Sequence, residues 1–121
     1  VGDTVWVEDE AQIDAVTAIS GSGPAYVFYF IEAMQQAATE LGLSAEQGRR
    51  LAQATFAGAA ALAGQSEEPV SLLRERVTSK GGTTYAALSS MESSGVKSAL
   101  VKALHAAADR GRELGEEYGK D

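Results

Sequence analysis

Apolar residues in this 121-residue chain keep returning at intervals of three and four, a period that helices satisfy and strands do not. After Pro24 they fall at Val27, Phe30, Ile31, Met34, Ala38 and Leu41, one face of a long helix that Gly42 is placed to end. Ser44 then stands as an N-cap with Gln47 at the capping-box position. The helix it opens carries Leu51, Ala54, Gly58 and Leu62 on one stripe, with Ala57 and Ala61 beside it, so that another helix backbone can approach closely. A short helix fits 69–78, with Pro69 in its first turn, and another fits 84–94. The last begins near Val96 and carries Leu100, Leu104, Ala107, Gly111, Leu114 and Tyr118 along a narrow seam. Ahead of Pro24, Ile13, Val16 and Ile19 keep the same spacing, so this region reads as helix, kink, helix. The expected fold class is all-α, a bundle of about five to six helices.

Residues 1–9 differ, because VGDTVWVED alternates briefly and one short extended segment cannot form a sheet alone. The chain also opens in mid-pattern without an initiating methionine, and we read it as a single domain cut from a longer protein. Seventeen acidic residues against ten basic ones give a net charge of −7, which argues against nucleic acid or an anionic membrane as the main partner. Arg49 and Arg50 are the only adjacent basic pair. No cysteine is present and His105 is the lone histidine, which excludes thiolate chemistry and removes most metal constellations, and no metal is expected. The longest apolar run, AYVFYFI at 25–31, is far short of the ~20 residues of a membrane span. A cytoplasmic protein is expected.

Two motifs stand out. ISGSGPAYVF at 19–28 invites a dinucleotide-loop reading, but Pro24, Ala25 and Tyr26 follow Gly21-Ser22-Gly23, so the third small residue of that fingerprint is missing. Helix–kink–helix explains it better, with Ser20, Ser22, Gly23 and Pro24 kept as candidates for lining a cleft. In SKGGTT at 79–84, Gly81 can end one helix in the left-handed conformation and Thr83 can cap the next through its hydroxyl. A helix start preceded by glycines also turns several unpaired N–H groups one way, which suits a carboxylate or phosphate. Thr84 is not needed for capping and is free to meet a ligand. Composition alone leaves a plain corner and an anion pocket both open. His105 reads as a core-flanking residue, the EDE and GEE clusters as solvated helix ends, and the aromatics at 26 and 28–30 as core or interface.

DAVTAISGSGPAYVF at 14–28 followed by LLRERVTSKGGTTYAALSSME at 72–92 resembles the C-terminal domain of the pyrroline-5-carboxylate reductases, in order, spacing and helical layout, over nearly the whole chain. The resemblance implies reduction of 1-pyrroline-5-carboxylate to L-proline by hydride transfer from NADPH or NADH, the last step of proline biosynthesis. It implies an N-terminal Rossmann domain that holds the dinucleotide, to which residues 1–9 would be the connector. Residues 1–121 would then be the helical dimerisation and substrate-binding domain, forming an interleaved homodimer or a higher homo-oligomer and inactive alone. It implies a substrate loop of Ser79, Lys80, Gly81, Gly82, Thr83 and Thr84, whose N–H groups and Ser79 receive the substrate carboxylate. Thr84 matches the family's threonine near the imine nitrogen, the candidate catalytic hydrogen-bond donor. Lys80 stands where the family commonly has proline. A related NAD(P)-dependent dehydrogenase and a non-catalytic helical dimerisation module are the alternatives.

Overall fold

The structure, a computed structural model, describes residues 9–118. They form α1 (Glu10–Val16), a π-helical turn (Thr17–Gly21), α2 (Gly23–Glu40), α3 (Ala45–Gln65), α4 (Val70–Arg76), α5 (Thr83–Ser93) and α6 (Val96–Tyr118), with no strand among the described residues. The all-α expectation therefore holds. The extended segment expected at 1–9 lies, apart from Asp9, outside the described residues. The chain divides into two compact units, one made of its two ends and the other of Val27–Ser94.

In the first unit, Asp9 has the extended backbone of an N-cap (φ −138°, ψ 170°) and its Oδ1 accepts from the Gln12 N–H at 2.9 Å. The kink expected before Pro24 is a π-helical turn, in which the Ser22 N–H reaches back five residues to the Thr17 carbonyl at 2.8 Å. Proline has no N–H and its ring crowds the carbonyl four residues back, here that of Ser20, so an α-helical ladder cannot run through it unchanged. The widened turn is how the chain meets that restriction. Tyr26 stabilises it by donating its hydroxyl to the Ala18 carbonyl at 2.8 Å, and Ala18 is 2% exposed. On α6 the half-buried residues are Val96, Leu104, Ala107, Ala108, Gly111 and Leu114, largely the expected seam. A Cβ on Gly111 would lie 3.3 Å from Asp14 Oδ1, so glycine permits α1 to lie close to α6 there.

In the second unit, α2 ends in a Schellman motif. The Leu43 N–H bonds the Ala38 carbonyl, the Gly42 N–H bonds that of Thr39, and Gly42 sits at φ +101°. Ser44 and Gln47 form the full capping box expected of them. Close helix approach occurs on another face of α3 than expected. Gly48 and Ala52 are buried and Phe56 and Ala63 half-buried, and a Cβ on Gly48 would stand 3.0 Å from Ala38 Cβ. The expected stripe of Leu51, Ala54, Gly58 and Leu62 is exposed instead. One residue's offset turns a helix by ~100°, and the wall of α2 selects the face with the smallest side chain at the crossing. Leu41, read as the last apolar residue of α2's face, is 83% exposed, because the helix ends beneath it.

Two local assignments are corrected. Pro69 precedes α4 as its N-cap, with extended backbone (φ −64°, ψ 145°), and lies outside the helix. Thr83 is the first residue of α5, while Gly82 takes the cap position with no side-chain hydrogen bond. Gly81 is left-handed at φ +79°, as expected, but α4 has already ended at Arg76, so it turns the loop rather than closing the helix.

Candidate functional site

The loop from α4 to α5 is built one hydrogen bond at a time. Thr78 closes α4, its N–H bonding the Glu75 carbonyl at 3.1 Å and its hydroxyl the Arg74 carbonyl at 2.6 Å. Ser79 then begins a β-turn, with the Gly82 N–H donating to the Ser79 carbonyl at 3.0 Å. Lys80 has negative φ and Gly81 φ +79°, the signature of a type II turn, whose third residue favours glycine. Gly82 is also in a tight spot, since a Cβ there would lie 3.3 Å from the Ser79 carbonyl oxygen. Both glycines of SKGGTT are thus explained by backbone geometry.

What the turn leaves over is a set of donors. The N–H groups of Ser79, Lys80, Gly81, Thr83, Thr84 and Tyr85 have no acceptor among the described residues. Neither do the hydroxyls of Ser79, Thr83 and Thr84. By contrast Asp9 caps α1 and Ser44 caps α3, so α5 is a helix whose start is left open where those two are filled. Its first turn carries no acidic residue, and the helix dipole there favours an anion. Thr84 is half-buried and Ser79, Lys80 and Thr83 are exposed. All six residues of the expected loop are brought together by one turn and one helix start.

The other candidates belong to the first unit. Ser20 lies in the π-helical turn and its hydroxyl is committed to the Val16 carbonyl at 3.0 Å. Ser22 and Gly23 are half-buried at the junction with α2, and Pro24 is exposed in its first turn. The turn's π character and its clasp by Tyr26 were missed from sequence; the signal was Pro24 four residues after a serine within an apolar helical run. No group of three His, Cys, Asp or Glu side chains suited to a metal ion occurs among the described residues. No helix among them is long and apolar enough to cross a membrane.

The fold and this loop can be set beside known proteins. The family described as pyrroline-5-carboxylate reductase dimerisation matches residues 10–114. The chain belongs to the pyrroline-5-carboxylate reductase dimerisation family. It is 50% identical over 120 residues to the pyrroline-5-carboxylate reductase of Pseudomonas aeruginosa, spanning 99% of this chain and 44% of that protein. Among solved structures it resembles a pyrroline-5-carboxylate reductase from Coxiella burnetii, with a TM-score of 0.87 and 46% identity over 91% of this chain and 41% of that one. It also resembles the Plasmodium falciparum pyrroline carboxylate reductase solved with NADP bound, with a TM-score of 0.85 and 36% identity over 89% and 41%. The chain thus spans well under half the length of these reductases. As a member of this family it is a helical piece whose α4–α5 loop presents a strip of unmet donors.

Proposed function

We infer that this chain is the substrate-binding and dimerisation part of a pyrroline-5-carboxylate reductase, which reduces 1-pyrroline-5-carboxylate to L-proline with NADPH or NADH. The observation that carries the reading is the run of acceptor-free N–H groups at SKGGTT, in a chain of this family. A carboxylate placed against them accepts charge-assisted hydrogen bonds from backbone that needs no rearrangement. Ser79 supplies a further hydroxyl beside the turn. Thr84 lies one residue into α5, where its hydroxyl can donate to the imine nitrogen of a ring whose carboxylate sits on the loop. Fixing a planar ring at two points presents one face for reduction, and orientation of this sort contributes several kcal/mol to a rate.

The described residues do not fit a nicotinamide dinucleotide. GSGPAY leads from a π-helical turn into α2, with no strand before it and no third small residue. The dinucleotide is therefore assigned to residues of the enzyme beyond this chain, and this chain's part is to hold and orient the imine. The exposed stripe of α3 and the outward Phe28 and Tyr29 of α2 suit a second copy of the chain, in keeping with a dimerisation family. A cytoplasmic location is part of the same reading. The complete enzyme should oxidise NAD(P)H when given 1-pyrroline-5-carboxylate. Thr84→Ala should lower its kcat/KM about 100- to 1,000-fold, the usual loss when one well-placed donor is removed. Undiminished turnover in that variant would sink the assignment of Thr84.

A further inference from the structure

We propose that Lys80 draws the anionic substrate to the loop and makes the substrate KM depend on salt. The inference rests on the reductase reading above. Position two of a type II turn suits proline, because its ring presets the required φ. A lysine there brings no conformational advantage, so what distinguishes it is its charge. That charge is uncommitted: Arg49, Arg50, Arg76, Arg110 and Arg112 each have a carboxylate partner, whereas Lys80, like Arg74, Lys97 and Lys102, has no ion pair among the described residues, and of these four it alone lies in the SKGGTT loop. It also lies next to the Gly81 N–H and three residues from the open start of α5.

The surrounding charge gives this lysine its weight. From Val70 to Ser93 the basic residues are Arg74, Arg76 and Lys80 and the acidic ones Glu75 and Glu92, and Arg76 is paired with Glu68, so this stretch is near neutral in a chain of net −7. Glu92 belongs to the last turn of α5, about 14 Å along the axis from its start. A carboxylate approaching this acidic protein therefore meets less repulsion at this loop than over the chain as a whole, and Lys80 is the cation within the loop itself. One unit charge about 7 Å from the ligand, in a medium close to water, is worth roughly a threefold change in affinity. Raising the salt shrinks the screening length below that distance and removes the effect.

The test uses the complete enzyme, with KM and kcat for 1-pyrroline-5-carboxylate measured at about 0.02 M and about 0.5 M NaCl, either side of that screening condition. At low salt Lys80→Gln should raise the substrate KM about threefold with kcat unmoved, the gap should close at high salt, and Lys80→Arg should match wild type. Equal KM values for Lys80→Gln and wild type at low salt would overturn the proposal. So would a gap that persists at high salt, or a shift confined to the KM of the nicotinamide nucleotide, whose phosphates would then be the anion attracted. A wild type with no substrate-dependent oxidation of NAD(P)H would overturn the reductase reading and this proposal with it. An active wild type indistinguishable from Lys80→Gln overturns this proposal alone.

Discussion

Thr83 and Ser44 look alike in sequence, each a hydroxyl residue at the start of a helix, yet only one of them caps. Ser44 accepts from the Gln47 N–H at 3.1 Å and receives its box partner in return, while Thr83 sits inside α5 behind a glycine cap. Ser44→Ala should therefore cost about 1 kcal/mol, and Thr83→Ala less than about 0.5 kcal/mol. Urea unfolding at one fixed protein concentration, reading the midpoint at constant slope, checks both. A loss at Thr83 equal to that at Ser44 would mean its hydroxyl caps α5 after all, and that the helix start is less open than it stands here. Choosing the cap from the letters alone fails at this point because Gly-Gly-Thr-Thr permits either glycine or threonine at the boundary. The Ser79 carbonyl, 3.3 Å from where a Cβ at 82 would stand, favours glycine at the boundary.

At the scale of elements, period and punctuation were enough to read six helices, and the loop carrying SKGGTT was legible as a junction. The faces were harder. Leu51, Ala54, Gly58 and Leu62 make a well-formed stripe, but a stripe shows only that something covers it, and among the described residues these four stay exposed. The face that α2 meets runs through Gly48 and Ala52, which carry too little side chain to raise an apolar signal. Gly48→Val should thus destabilise the protein by about 1–3 kcal/mol despite removing a helix glycine, because the new side chain must displace the Ala38 methyl. Thermal unfolding beside Gly58→Ala is the comparison to make, since a Cβ on Gly58 meets nothing within 4 Å in the single chain. A Gly48→Val protein as stable as the parent would mean that α2 and α3 do not cross at this point.

For the whole molecule, the exposed apolar residues are where a second copy of the chain would sit in the proposed dimer. Phe28 is 63% exposed, Tyr29 72%, Leu51 56% and Leu62 55%, more apolar surface than scattered single residues would account for. The protein should be a dimer at micromolar concentration by light scattering, and Leu51→Glu with Leu62→Glu should shift it to monomer, since two buried like charges cost more than the contacts they replace. A dimer untouched by both changes would move the interface off α3. No sequence pattern separates a helix face that meets its own chain from one that meets a copy, because burial is the same physics in both. The π-helical turn carries a consequence of another kind, for how this chain can vary over time. It accommodates one residue more than an α-helix of the same length, and that extra residue is what gives the Pro24 ring room. Losing one residue between Thr17 and Gly21 would set that ring against the carbonyl four residues before it, and would rotate Tyr26 by about 100° about the helix axis, away from the Ala18 carbonyl. The length of this segment is constrained even where the identity of its residues is not.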